Sequence, residues 1–181
     1  MVESLHPFVP FVIFLRANHE YSDIELLSFF GLSAYQRYEP ATLVRPDCWV
    51  VLGDAGQWTM LADDYRYTLW FMKTTRPALE LLAERHGVFW CCIGDCHLDV
   101  EFVFYQNGDI ARRFEFYDDR GVKEDIGTPM AGEATLLKSE MHHWRLPLEL
   151  PKSLGIEVDL VYKNLRIYGQ HLDGTARRAA P

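Results

Sequence analysis

The sequence predicts a single α+β domain, in which helices cover one face of a twisted antiparallel sheet built from two meanders. Short turns rich in Gly and Asp separate its β-prone runs, and well-marked helices lie before and between those runs. The chain has 181 residues, of which 49% are hydrophobic and 14% aromatic, enough for one substantial core. We expect the domain to span residues 1–168 and residues 169–181 to form a disordered tail.

The first two elements are a strand and a helix. The run "PFVIFLRA" (10–17) is apolar and too short for a helix of its own, so it predicts a buried strand. Ser22 followed three residues later by Glu25 forms a capping box, and Gly31 supplies a stop signal. Together they predict a helix over 23–30.

A first antiparallel meander follows. Its three strand-like runs are "CWVVL" (48–52), "WTMLAD" (58–63) and "YTLWFM" (67–72). Residues 53–56 and 64–66 separate them and are rich in the Gly and Asp that favour tight turns.

The next segment, "TTRPALELLAERHG", carries the clearest helix signal in the chain. Thr74 or Thr75 can cap it, and Pro77 fits its first turn. Apolar residues recur at helical spacing, which predicts a helix over 75–86 with one buried face. That face carries Leu79, Leu82, Ala83 and His86.

A second meander is predicted from residues 99–105 and 109–117. A three-residue loop over 106–108 would place the aromatic residues of both strands on one face. This register sets Phe104 opposite Ile110 and Glu101 opposite Arg113, a favourable cross-strand pair.

Beyond residue 118 the patterns are weaker. Residues 118–132 indicate a long loop or an edge strand, and a helix is expected near 132–143. Residues 148–154 predict a short helix broken around Pro151, and 156–169 predict one or two strands.

Charge and cysteine content narrow the function classes. The formal net charge is -8, which disfavours binding to nucleic acids or anionic membranes and favours a basic partner. The most apolar run, 8–15, is far shorter than the roughly 20 residues of a membrane span and lacks the flanks of a signal peptide. Four cysteines without a secretory signal predict reduced thiols in the cytoplasm.

Cys91, Cys92, Cys96 and His97 form the densest group of reactive side chains. The weak metal candidates Cys92, Cys96 and His97 supply at most part of a zinc site, and no second Cys-x-x-Cys pattern exists. Cys91 and Cys92 point to opposite faces of a strand, so they cannot bind the same ion. We therefore interpret Cys91 or Cys92 as a buried apolar residue and expect neither metal nor cofactor.

The same segment permits an enzymatic interpretation. Asp95 and Asp99 are close enough in sequence to flank a turn, and Cys96 is adjacent to His97. A hydrolase or transferase built on these four residues is our alternative hypothesis. Against it, the chain contains no Gly-x-Ser-x-Gly, P-loop, dinucleotide-binding glycine pattern or His-Glu-x-x-His.

Several acids fall at predicted turns and suggest a binding surface instead. Asp54, Asp63, Asp64 and Asp95 would form a negative face if these turns meet at one end of the sheet. Tyr65 would serve there as an aromatic anchor, because aromatic residues often dominate interface energy. Such a face would attract a basic protein.

Three stretches resemble small acidic α+β immunity proteins of bacterial toxin–antitoxin and polymorphic-toxin systems. They are "WVVLGDAGQWTMLADD", "TRPALELLAERHG" and "DVEFVFYQNGDIARRFEF", all within residues 49–133. The resemblance implies a cytoplasmic binder that neutralises a secreted toxin, and it assigns no catalytic residue. The first hypothesis is thus a non-enzymatic protein-binding module that blocks a basic, toxin-like partner.

Overall fold

A computed structural model describes residues 11–17, 19–38, 48–64, 68–94, 99–138, 145–161 and 163–171. Nine strands form one open antiparallel sheet in the order β2-β9-β3-β4-β1-β5-β6-β7-β8. In chain order the strands are β1 (Phe11–Arg16), β2 (Gln36–Tyr38), β3 (Cys48–Ala55), β4 (Trp58–Asp63), β5 (Gly87–Ile93), β6 (Val100–Gln106), β7 (Asp109–Tyr117), β8 (Gly121–Gly127) and β9 (Arg166–Gln170). The α+β class and the antiparallel sheet agree with the prediction.

Six short α-helices and one 3₁₀ helix accompany the sheet in the described ranges. The α-helices are α1 (Asp23–Phe29), α2 (Thr68–Phe71), α3 (Thr75–Ala83), α4 (Glu133–Leu137), α5 (Leu146–Glu149) and α6 (Val158–Val161). The 3₁₀ helix follows α5 directly, over Leu150–Leu154. No helix in the described ranges combines the length and the apolar content that a membrane span requires.

Apolar residues are buried on both sides of the sheet. We call the side that carries Phe11, Ile13 and Leu15 the first face, and the side that carries Val12 and Phe14 the second face. The buried residues of the two faces form two separate core clusters, as expected because successive residues of a strand point to opposite faces.

Helices contribute to both clusters. Leu27 of α1 and Leu79 of α3 pack into the first-face core. Leu146, Leu150 and Val158 belong to the second-face core. Helical residues therefore belong to the cores on both faces, and the prediction that the helices cover one face is not confirmed.

The helix signals at residues 22–31 are confirmed. The Ser22 amide donates to Glu25 Oε2 at 2.8 Å, and the Glu25 amide donates to Ser22 Oγ at 3.3 Å. This reciprocal capping satisfies two amides that have no partner within the helix. Gly31 follows the helix with φ +76°, a conformation that few other residues adopt without strain.

The prediction of a third strand over 67–72 in the first meander is wrong, because Thr68–Phe71 forms the helix α2. The Asp63 carboxylate accepts hydrogen bonds from the amides of Leu69 and Trp70, both at 2.9 Å. A β-prone sequence thus becomes a helical turn because the preceding carboxylate binds its first amides.

The helix predicted over 75–86 is confirmed as α3, with Leu79, Leu82 and Ala83 buried. The predicted side-chain cap is not formed. Thr74 Oγ1 donates to the Phe30 carbonyl at 2.9 Å, and Thr75 Oγ1 donates to the Leu69 carbonyl at 2.5 Å. Both hydroxyls therefore join helices to one another rather than capping α3.

The predicted register of β6 and β7 is wrong. A two-residue turn at Asn107 and Gly108, with φ +55° and +85°, connects the strands. A bulge then shifts the pairing, so that Glu101 faces Glu115 instead of Arg113. The bulge realigns the faces that the two-residue turn alone would mismatch.

The C-terminal third agrees with its predictions in part, since the helix expected near 132–143 begins at Glu133 and short helices lie around Pro151. Residues 118–132 contain the edge strand β8, whereas 156–169 contribute one helix, α6, and the start of one strand, β9. The expected domain boundary at 168 falls inside β9, which ends at Gln170. Residues 139–144 and 172–181 lie outside the described residues.

Candidate functional site

Asp63 and Asp64 are buried at the end of β4, each 2% exposed. Asp63 holds the first amides of α2, and Asp64 accepts from the amides of Trp49 and Thr68, each at 3.3 Å. Burial raises the pKa of Asp63 to about 7, although hydrogen bonds from backbone amides act in the opposite direction. Both carboxylates therefore bind the backbone instead of presenting charge to a partner.

Asp54 takes part in an internal ion pair. Its Oδ2 accepts a hydrogen bond from Arg166 Nη1 at 2.7 Å, and its Oδ1 accepts from Thr59 Oγ1 at 3.1 Å. The same Arg166 binds both carboxylate oxygens of Asp23, at 2.6 and 2.9 Å. Asp54 thus helps to fasten α1 to the sheet. The other predicted contact residues, Tyr65 and Asp95, lie outside the described residues.

The two adjacent cysteines of β5 are buried on opposite faces, as their strand position predicted. Cys91 belongs to the second-face core and Cys92 to the first-face core. Burial raises the pKa of both thiols, so they stay protonated near neutral pH. This agrees with their interpretation as small apolar residues.

The predicted metal ligands are only partly covered by the structure. Within the described ranges, no group of three or more His, Cys, Asp or Glu side chains is arranged to hold a metal ion. Cys96 and His97 lie outside those ranges, so their pairing with Cys92 stays a prediction.

A cleft of about 410 Å³ lies at the end of the sheet where β5 ends, β6 begins and β7 ends, against α2. Two of its lining residues, Gly94 and Asp99, bracket positions 95–98, and the Gly94 amide donates to the Asp99 carbonyl at 2.9 Å. Aromatic rings and carboxylates dominate the lining, so we call it the aromatic–acidic cleft. Its lining residues are Trp70, Phe71, Cys92, Gly94, Asp99, Val100, Glu101, Phe116 and Tyr117.

The α2 side of the cleft is aromatic. Trp70 is fixed by ring contacts with Phe11, at 5.0 Å between centroids, and with Trp90, at 5.6 Å. Phe71, the next residue, is 75% exposed. One ring is therefore anchored in the core, while its neighbour projects largely into solvent.

Glu101 supplies a carboxylate to the cleft although only 8% of the residue is exposed. Arg76 Nη2 donates to both Glu101 carboxylate oxygens, at 3.3 and 3.1 Å. The Arg76 guanidinium also lies over the rings of Trp70 and Trp90, 5.0 and 5.4 Å from their centroids. Burial raises the pKa of Glu101, while the charge of Arg76 acts to lower it.

On the opposite wall of the cleft, Tyr117 also lies beside a carboxylate and a cation. Its hydroxyl donates to Glu115 Oε1 at 2.5 Å, and this bond, followed by burial, raises the pKa of Tyr117 to about 12. Lys123 Nζ lies 3.0 Å from the same Glu115 oxygen and 5.5 Å from the Tyr117 ring centroid. A second cleft, of about 400 Å³, shares Asp99 and Tyr117 and continues to Asp119 and Arg120.

Three glutamates lie in a row on the first face beside the cleft. Strand register sets Glu101 opposite Glu115, and Glu115 opposite Glu124. Arg113 lies among them, with nitrogen–oxygen distances of 3.6, 3.6 and 2.8 Å to the three carboxylates in that order. This row of like charges is stable only because cations intervene.

Of the candidate site residues predicted from the sequence, the structure brings Cys92 and Asp99 to the cleft. The Asp99 carboxylate accepts a hydrogen bond from the Asp118 amide at 2.9 Å. Sequence reasoning missed Phe71 and Tyr117, because an alternating β-prone pattern does not show which aromatic residues stay exposed.

No family model, no curated protein and no solved structure matches the chain.

Proposed function

We propose that this chain is a non-enzymatic protein-binding module that acts in the cytoplasm and blocks a basic, toxin-like protein, docking it at the aromatic–acidic cleft. The observation that carries the proposal is Phe71, 75% exposed at a cleft that Asp99 and Glu101 also line. The resemblance to immunity proteins supports the same reading.

The exposure of Phe71 favours a protein partner. The Phe71 ring lies beside Trp70, Phe116 and Tyr117 in the cleft lining, and contiguous exposed apolar patches often mark binding surfaces. Burying the ring of Phe71 in an interface would contribute about 2 kcal/mol. Trp70, packed on Phe11 and Trp90, gives that interface a rigid base.

Charge favours a basic partner. The chain carries a formal net charge of -8, which accelerates association with a positive surface. The acids involved differ from those first predicted, since Asp99 and Glu101 line the cleft whereas Asp63 and Asp64 do not.

The alternative of a hydrolase or transferase around Asp95, Cys96, His97 and Asp99 receives less support. Asp99 does line the cleft, but its carboxylate binds the Asp118 amide. The nearby Cys92 thiol is held protonated by burial, which makes it a poor nucleophile. A binding role needs neither of these groups to react.

The proposal is tested by selecting random peptides displayed on phage against the purified full chain. We expect the enriched peptides to be rich in Lys and Arg, and their binding to weaken as ionic strength rises above about 0.15 M. Phe71→Ala should reduce the affinity of the selected peptides about tenfold. Leu81→Ala, which truncates an exposed residue of α3, is the matched control and should leave affinity unchanged.

Two results would contradict the proposal. One is the enrichment of acidic or uncharged peptides. The other is an equal loss of affinity in Phe71→Ala and Leu81→Ala, which would place the binding surface elsewhere. Because both side chains are largely exposed, neither substitution should impair folding.

A further inference from the structure

We infer that the aromatic–acidic cleft recognises one arginine side chain of the partner, in preference to lysine. This inference rests on the proposed function and specifies which chemical group enters the cleft. It is carried by the way in which the cleft walls already hold cations of this chain, by the local count of charges, and by the shape of the lining.

Two internal cations show what these walls bind. Arg76 lies over Trp70 while it donates to Glu101, and Lys123 lies over Tyr117 while it pairs with Glu115. In both cases a positive group lies near both an aromatic ring and a carboxylate, a combination that attracts cations. The rings of Trp70 and Tyr117 and the carboxylate of Glu101 also line the cleft.

Among the described residues, carboxylates outnumber cations around the cleft. Four carboxylates lie in its lining or in the adjoining row: Asp99, Glu101, Glu115 and Glu124. Three cations pair with members of this set: Arg76, Arg113 and Lys123. The neighbouring Asp119 and Arg120 pair with each other at 3.2 Å and cancel. With Asp118 next to this pair, the described residues keep an excess of negative charge that a positive side chain would reduce.

The lining favours a planar cation over a compact one. Phe71 provides a largely exposed ring on which a guanidinium can stack, and Asp99 provides carboxylate oxygens to which its several N–H groups can donate. A lysine ammonium is more strongly hydrated and cannot stack in this way. The volume of about 410 Å³ lies near the lower end of the range of small-molecule sites, as one long side chain requires.

The test is an NMR titration of the full chain with three probes: N-acetyl-arginine amide, N-acetyl-lysine amide and the uncharged N-acetyl-norleucine amide. We expect arginine amide to bind at least about fivefold more tightly than lysine amide, because only the guanidinium combines stacking with several hydrogen bonds. Its shifts should centre on the Trp70 indole and the Gly94 amide, since both residues line the cleft.

Asp99→Asn is the informative variant. It keeps an oxygen that can accept from the Asp118 amide but removes the charge, and we expect arginine amide to bind about fivefold more weakly. Asp159→Asn makes the same chemical change at an exposed residue of α6 and should leave the affinity unchanged.

The outcomes separate this inference from the proposed function. Equal binding of the arginine and lysine amides, or shifts centred away from the cleft, would overturn the inference, while enrichment of basic peptides would still uphold the binding role. Tight arginine binding that Asp99→Asn weakens, without any enrichment of basic peptides, would uphold the inference and overturn the binding role. Equal losses in Asp99→Asn and Asp159→Asn would reduce the effect to net charge and overturn the inference.

Discussion

Arg112 and Arg113 are neighbours in β7, but they lie on opposite faces of the sheet and are held in different ways. Arg112 is 2% exposed and binds both carboxylate oxygens of Glu133, together with Asp125 Oδ1 at 2.5 Å and the Ile126 carbonyl at 2.9 Å. The side chain of Arg113 is 26% exposed and is shared among the three glutamates of the first-face row.

The difference separates a fully bonded structural ion pair from an ion-pair network beside the aromatic–acidic cleft. Glu133, also 2% exposed, accepts in addition from the Met130 amide at 2.8 Å, so Arg112 fastens the start of α4 to the second face. The Arg113 network adjoins the aromatic–acidic cleft, and its distances of 3.6 Å are too long for good hydrogen bonds. A loosely held network can adjust to an additional charge, whereas a fully bonded one cannot.

Arg112→Met should produce the largest effect. It leaves the buried Glu133 carboxylate without its cation, which we expect to lower the free energy of unfolding by about 3–5 kcal/mol. Urea denaturation monitored by tryptophan fluorescence measures the loss. Adding Glu133→Leu should restore most of it, since the unpaired charge is then gone. A loss below about 1 kcal/mol in the single variant would show that Arg112 is not a structural pair.

Arg113→Met should destabilise the protein far less, by about 1 kcal/mol, because solvent reaches the side chain and other cations remain near the glutamates. The same urea titration provides the comparison, and raising the salt concentration should shrink the difference further. A loss as large as that of Arg112→Met would remove the distinction between the two networks.

The pH dependence of Glu115→Gln sharpens the comparison. Burial acts to raise the pKa of Glu115, but hydrogen bonds from Tyr117 and Lys123 outweigh it, so the pKa is lowered in the folded state. Its ionised form therefore stabilises the fold above the unfolded pKa, and this stabilisation is lost as pH falls through the folded pKa. The free energy of unfolding of the wild type should exceed that of the variant by about 1 kcal/mol at neutral pH, and the two values should be equal in acid. Urea titrations at each pH measure both.

Glu101→Gln serves as the contrasting control in the same measurement. Burial raises the pKa of Glu101, so its ionised form costs stability above the folded pKa, and that cost is relieved as pH falls toward the unfolded pKa. The free energy of unfolding of the wild type, relative to that of this variant, should therefore rise as the pH falls. Parallel pH profiles for the two variants would contradict the assignment of opposite shifts.

Local signals in the sequence predicted the elements that are determined locally. The capping box at Ser22 and Glu25 and the apolar spacing around Leu79 and Leu82 each act within one helix, and both helices form as expected. The alternation of Cys91 and Cys92 between faces follows from strand geometry alone.

Features set by contacts between elements escaped prediction. The turn of α2 depends on amides reaching back to the buried Asp63, and the β6–β7 register depends on a bulge that no turn residue announces. The cleft depends on Phe71 of α2 and Tyr117 of β7 lining the same space, although they are far apart in the chain. Asp99 was named only as part of a different hypothesis, because sequence proximity suggested catalysis there.

The position of β9 governs the order in which the chain can fold. Seven strands, from β3 to β8 in the sheet order, belong to the part of the chain before residue 128 and pair with one another. The edge strand β2, in contrast, pairs with β9. Arg166 of β9 reaches Asp54 of β3 across 112 residues of sequence. During synthesis β2 can therefore pair only after β9 has been made. We expect this edge of the sheet to form last and slowly.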